Sequence, residues 1–197
     1  MLASYKDLLT FVATSLVFVS YIPYIRDLLK GKTKPHVYSW FLWGLVSSII
    51  FVLQISDGAG AGSLVTLSAV LITFYILAVA ITKNGRGGIT KVDHLFLGMA
   101  VIAVLFWIFA KNPIVSITLL VLIELLGLVP TITKSWSMPY EETLFSWSLN
   151  GCRFILAIFA LSKVTYITAL YPISWASGNL LVALIIVLRR RRIAKER

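Results

Sequence analysis

The sequence predicts an all-α integral membrane protein: seven transmembrane helices, built as two parallel three-helix repeats joined by a linker helix. Three observations lead there. The chain is 59% hydrophobic and only 13% charged, with a mean hydropathy of +0.92, and a water-soluble domain of this size would carry far more charge on its surface. The apolar residues fall in long runs of the length that crosses a bilayer, about 20 residues for a helix. Finally, the chain contains itself twice. A shift of 107 residues lays Pro23 on Pro130, Ile25 on Ile132, Ser39 on Ser146, Trp40 on Trp147, Leu42 on Leu149 and Gly44 on Gly151 without a gap. Repeats in a hydrophobic chain are the usual mark of a transporter assembled from two equivalent halves.

The seven runs are 8–29, 37–55, 62–82, 94–110, 113–133, 143–162 and 167–188. The first carries Pro23 near its end and is too long for the core of a cleavable signal. The second opens at Ser39–Trp40, with Ser39 read as a helix N-cap. The third follows the tight connector DGAGAGS (57–63), and the fourth follows NGRGG (84–88). The fifth bears Pro130, the sixth opens at Ser146–Trp147 with Ser146 likewise read as an N-cap, and the seventh has Pro172 near its start. Runs one to three therefore correspond to runs five to seven, and the fourth has no counterpart. Three helices reverse the chain's side of the membrane and a fourth restores it, so the repeats run parallel. The layout is a single membrane domain, 1–197: a first repeat over 8–82, a linker helix over 94–110, a second repeat over 113–188 and a basic tail over 189–197.

Positive charge sets the expected orientation. Lys6, Lys111 and Lys163 lie on one side of this topology. Arg26, Lys30, Lys32, Lys34, Lys83, Arg86, Lys91, Lys134, Arg189 to Arg192, Lys195 and Arg197 lie on the other. The bias places the N-terminus outside and the C-terminus in the cytoplasm, with the plasma (inner) membrane as the expected location. The net charge of +10 then reflects topology, plus attraction of the tail RRRRIAKER to anionic lipid. Nucleic-acid binding is not expected, because the basic residues sit at helix ends with no groove-reading motif. Nor is an enzyme. His36 and His94 flank membrane runs without companion ligands, so neither metal nor cofactor is expected. The Gly-rich connectors lack the strand-turn-helix setting of a phosphate loop. Cys152, the one cysteine, has no intrachain disulfide partner.

The stretches YIPYIRDLLKGKTKPHVYSWFLWG and LVPTITKSWSMPYEETLFSWSLNG resemble the PQ-loop motif of the PQ-loop and SWEET superfamily. There a late Pro is followed by a short basic loop and a helix opening with Ser and aromatic residues; the loop of the second copy here is more acidic. The chain departs from the signature where Gln follows Pro, having Tyr24 and Thr131 instead. The resemblance implies the same three-one-three arrangement. It also implies a membrane transporter for a small polar solute (sugar, amino acid or vitamin) working by alternating access. Because the superfamily includes a cargo receptor, a non-transporting receptor or assembly factor is the alternative. Expected partners are the solute and the bilayer, and a homo-oligomer is compatible with the sequence.

Particular residues are candidates for the work. Proline deprives the carbonyl four residues earlier of its donor and bends a helix. Pro23, Pro130 and Pro172 thus read as hinges of the kind the resemblance implies, or as static kinks. Glu124 and Arg153 are the charges that fall clearly inside predicted membrane helices, about 15 Å deep by the helical rise. An intramembrane charge faces the bundle and seeks a partner, so the two are expected to pair, whether to anchor a solute or to fix helix packing. Their positions in the first repeat are Val17 and Val46. Asn150 takes the place of Trp43, and Asn179 that of Ile72. Trp175 precedes Asn179 by four residues and shares its helix face. An aromatic plate beside an amide suits a sugar, a nucleoside or an amino acid. Trp40 and Trp147 read as belt residues at the interface, or as a repeated gate.

Overall fold

The computed structural model describes residues 2–30, 37–84, 91–109 and 111–195, and the regular structure in them is helical. Eight α-helices follow one another: α1 (Leu2–Leu29), α2 (Val37–Ser56), α3 (Leu64–Asn84), α4 (Lys91–Ile108), α5 (Pro113–Leu126), α6 (Val129–Ser137), α7 (Leu144–Ala160) and α8 (Tyr166–Lys195). Short 3-10 turns occupy Gly60–Ser63 and Pro139–Glu141. Lys32, Lys34, His36, Arg86 and most of the NGRGG connector lie outside the described residues, as do the side chains of Ser39 and Pro130.

Among the described residues, three segments are long and apolar enough to cross a membrane: Tyr5–Arg26, Gly60–Thr82 and Tyr166–Ala194. The remaining apolar helices are shorter, including Pro113–Leu126 and Leu144–Ala160. Three of the seven predicted runs thus coincide with full-length candidate spans, and the other four with shorter apolar helices. The largest departure is at the predicted fifth helix, which divides into α5 and α6. Pro130 has no N–H to give the Leu126 carbonyl. The backbone tightens before it: Gly127 N–H donates to the Glu124 carbonyl at 3.1 Å and Leu128 N–H to that of Leu125 at 2.9 Å. The helix then restarts with Pro130 in its first turn, where a missing donor costs nothing.

The chain exposes apolar side chains on a scale that water would not tolerate, among them Leu8, Phe11, Phe18 and Ile22 of α1. Lipid is the solvent that suits them. Inward, α3 packs against both α1 and α2, and α8 packs against α5, α6 and α7. Across the molecule α1 meets α7, while α2 meets α5 and α8; α4 leans on α5 and α2. One apolar cluster joins Val46, Ile50, Leu120, Ile123 and Tyr171 of α2, α5 and α8. A second joins Ala13, Val17, Val65, Ile72 and Ile76 of α1 and α3. Val17 and Val46 are thus core residues. Glycine permits the close approaches: a Cβ on Gly44 would come within 3.0 Å of the Phe74 ring, and one on Gly151 within 2.8 Å of Leu180.

The α2–α3 and α7–α8 connections clasp each other at one end of the bundle. Ser162 N–H donates to the Ala59 carbonyl at 2.9 Å, and Thr165 Oγ1 donates to Asp57 Oδ2. Lys6 Nζ reaches the Leu161 carbonyl at 2.7 Å. The Lys163–Asp57 contact, at 3.8 Å with Lys163 exposed, adds little. At the other end, residues 189–195 are the last turns of α8 rather than a separate tail. Arg189 donates to the Trp136 carbonyl, and Arg190 to those of Pro139 and Glu142.

Neither serine of the Ser-Trp repeat caps a helix. α2 begins at Val37, two residues before Ser39. α7 takes Thr143 at the cap position.

Pro172 shows how the fold absorbs a helix proline. The carbonyl it frees is that of Thr168, which accepts from Gln54 Nε2 of α2 at 3.0 Å. Gln54 Oε1 in turn accepts from Thr66 Oγ1 at 2.8 Å, and Gln54 is fully buried. Gln54→Leu should lower stability in detergent by about 1–3 kcal/mol, the cost of two stranded polar groups. Pro172→Ala restores an N–H for the Thr168 carbonyl, so the double variant should lose less than the sum of the singles. Strictly additive unfolding free energies would mean that Gln54 does not serve this carbonyl.

Candidate functional site

The helices enclose a cavity of about 200 Å³ at the centre of the bundle. Among the described residues, every helix except α4 contributes to its wall. α1 supplies Tyr21; α2 supplies Trp40, Trp43 and Ser47; α3 supplies Ala69 and Thr73. α5 brings Glu124, the break brings Gly127 and Leu128, and α6 brings Thr131. α7 gives Trp147, Asn150, Arg153 and Phe154, and α8 gives Tyr171, Trp175 and Asn179.

Of the residues singled out from sequence, Glu124, Arg153, Asn150, Asn179, Trp175, Trp43, Trp40 and Trp147 all reach this one cavity. Pro23 and Pro172 do not. Pro23 lies on the exposed side of α1, and Pro172 is buried away from the cavity wall in α8. Trp40 and Trp147 both have partners within the protein. Trp40 is buried between Tyr24 and Trp43, with ring centroids 5.3 and 5.5 Å away. Trp147 Nε1 donates to Glu142 Oε2 at 3.1 Å.

The two charges do not pair as expected. Glu124 Oε1 accepts from Ser47 Oγ at 2.7 Å, and Oε2 accepts from Trp175 Nε1 at 2.6 Å. Two directional donors thus occupy the two carboxylate oxygens. Arg153 turns instead to its own helix, where Nε donates to Asn150 Oδ1 at 2.8 Å, one turn back. Its guanidinium lies 4.1 Å from the centroid of the Phe154 ring, a cation–π contact. Among the described residues no ion pair joins Glu124 to Arg153. Both are buried, at 2% and 3% exposure. Arg153 Nη1 is buried with no acceptor within reach.

Aromatic rings surround these charges. Phe154 stacks on Trp175 with 6.0 Å between centroids and 15° between planes, and Tyr171 meets Phe154 edge-on at 5.8 Å. Asn179 Nδ2 donates to the Trp175 carbonyl at 2.7 Å, which ties the amide to the indole one turn earlier. The cavity can therefore offer hydrogen bonds, one charge of each sign and flat apolar faces.

Sequence reasoning missed Tyr21, Ser47, Thr73, Phe154 and Tyr171. One signal could have found Thr73. With an offset of 106 rather than 107, α3 and α8 align Ala69 with Trp175 and Thr73 with Asn179, and all four reach the cavity. Ile72, expected opposite Asn179, instead packs in the apolar core. No protein-family model, no curated protein and no solved structure matches this chain.

Proposed function

We propose that this membrane protein is a carrier for a small polar solute, of PQ-loop type, in which α1–α3 and α5–α8 form two parallel halves linked by α4. The observation that carries the reading is the cavity: positions equivalent in the two halves converge on it. At the 107-residue offset, Tyr21 and Leu128, Trp40 and Trp147, Trp43 and Asn150, and Ser47 and Phe154 form four such pairs. At 106, α3 and α8 add two more. A pseudo-twofold axis along the membrane normal would produce this convergence.

Packing supports it as well. In each half the last helix sits between the other two, and the α1–α7 contact mirrors that of α5 with α2. Gly44 against Phe74 repeats as Gly151 against Leu180. The buried positions of α3 recur in α8 at the 106 offset: Val65, Val70, Ile76 and Ala80 match Tyr171, Ala176, Val182 and Ile186. The break between α5 and α6 faces the cavity, and irregular backbone at membrane depth is tolerated where it lines one. The α5–α6 pair then counts as a single crossing, giving seven. The lysine and arginine bias supports an outside N-terminus and a cytoplasmic C-terminus.

Reconstituted vesicles test the reading. The protein should take up at least one solute class from a set of labelled sugars, amino acids, carboxylates, nucleosides and vitamins. Thr73→Phe or Ala69→Leu, which fill the cavity, should reduce uptake to background with the unfolding temperature close to wild type. Full uptake in both filled, folded variants would exclude this cavity as the path. Loss of function in loop variants alone would favour a receptor.

A further inference from the structure

We propose that the solute carries a carboxylate, which Arg153 receives; the inference rests on the carrier reading and narrows its substrate. Among the described residues, Glu124 and Arg153 are the two charges on the cavity wall. They hold apart: Ser47 and Trp175 occupy Glu124, while Asn150 and the Phe154 ring hold the guanidinium. A purely structural pair would be expected to meet, because burying a cation without its counter-anion is costly. Here the protein supplies Arg153 with a neutral amide and a ring face, and leaves Nη1 without an acceptor.

What remains free on the guanidinium is fixed by what is taken. Asn150 occupies Nε and Phe154 covers one face, which leaves the edge of terminal nitrogens. That edge is a planar fork matched to a carboxylate. A phosphate dianion fits poorly in a small cavity whose other charge is Glu124. The stacked rings of Phe154 and Trp175 give the apolar part of a carboxylate solute a surface to lie on. Two kinds of solute share this chemistry: simple carboxylates, and zwitterionic amino acids whose ammonium group would be drawn toward Glu124.

The experiment uses the full chain in vesicles and in detergent. The probes are the natural amino acids, a series of mono- and dicarboxylates, the matching neutral amides, and neutral sugars. Carboxylate probes should raise the unfolding temperature and be taken up, whereas the amide of the same skeleton should do neither. Comparing leucine with 4-methylpentanoate tells which source of carboxylate the cavity accepts. Arg153→Lys keeps the charge but loses the fork, and should weaken binding about tenfold. Arg153→Gln should weaken it about a hundredfold. Should that variant fail to fold, Asn150→Asp supplies an internal carboxylate beside Nε and should abolish binding in a folded chain. Neutral sugars taken up independently of Arg153, or amides bound as well as acids, would overturn the carboxylate and leave the carrier standing. No uptake and no stabilisation by any probe would overturn both.

Discussion

Glu124→Ala should abolish uptake and lower stability by about 2–4 kcal/mol, because it strands two buried donors at once. Ser47 Oγ and Trp175 Nε1 both donate to this carboxylate, at 2.7 and 2.6 Å. They come from α2 and α8, while Glu124 is on α5, so a single side chain ties three helices together. Interhelical hydrogen bonds in bilayers average less than those in water-soluble cores, about 0.6 kcal/mol each, since the unfolded chain in lipid also finds partners. The expected loss therefore falls toward the lower end when unfolding is followed in bilayers. Glu124→Gln separates charge from geometry. Its amide oxygen still accepts one donor, but its NH2 group must face the other, so about half of the loss should remain. If uptake depends on the negative charge itself, Gln should be as inactive as Ala while unfolding at a higher temperature. Wild-type uptake in Glu124→Gln would mean that the carboxylate holds helices and nothing more. The measurement pairs uptake in vesicles with denaturant unfolding of the same preparations.

Much of the architecture was legible because the bilayer makes hydropathy a direct reading of position. The apolar runs matched helices to within about three residues at most boundaries, although α1 begins at Leu2 rather than at residue 8 and α8 runs on to Lys195 rather than ending at residue 188. The run over 113–133 did not, because hydropathy registers apolar residues and takes no account of a missing N–H. From sequence Pro130 reads as a hinge or a static kink, yet the break three residues earlier at Gly127, which opens onto the cavity, depends on backbone hydrogen bonds. The cavity residues were partly legible for a similar reason. Asn150, Asn179, Glu124 and Arg153 are conspicuous as polar groups at membrane depth, where each needs a reason to be there. Their partners were not. A serine such as Ser47 is unremarkable in a membrane helix, since its hydroxyl can bond back to the preceding turn. Only the packing of α2 against α5 shows that it meets a carboxylate. The expectation that Glu124 would meet Arg153 counted charges and depths and ignored nearer donors. A neutral indole N–H at 2.6 Å satisfies a carboxylate as directional geometry allows, without moving Arg153 from Asn150.

Gly62→Ala should be strongly damaging for the addition of a single methyl. The added Cβ would lie 2.8 Å from the Ala160 carbonyl carbon and oxygen and from Leu161 Cα. All three are backbone atoms, so no rotamer change can make room, and the two connections must separate. Overpacking of this kind costs about 1–3 kcal/mol, and a backbone obstacle puts it at the upper end. The same movement would lengthen the Ser162–Ala59 hydrogen bond that closes this end of the bundle. Gly98 provides the control, because a Cβ there meets nothing within 4 Å. Gly98→Ala should be neutral or stabilising by up to about 1 kcal/mol through helix propensity. In a carrier that alternates between two openings, loosening the clasp also shifts the balance toward the state open at that end. A cysteine at Thr73, in a Cys152→Ser background, should then react faster with a membrane-impermeant thiol reagent added from the clasp side when Gly62→Ala is present. Faster labelling together with lower stability would identify the clasp as a gate. Lower stability with unchanged labelling would make it a static joint, and the alternation would have to be sought at the opposite end, where Trp147 leans on Glu142.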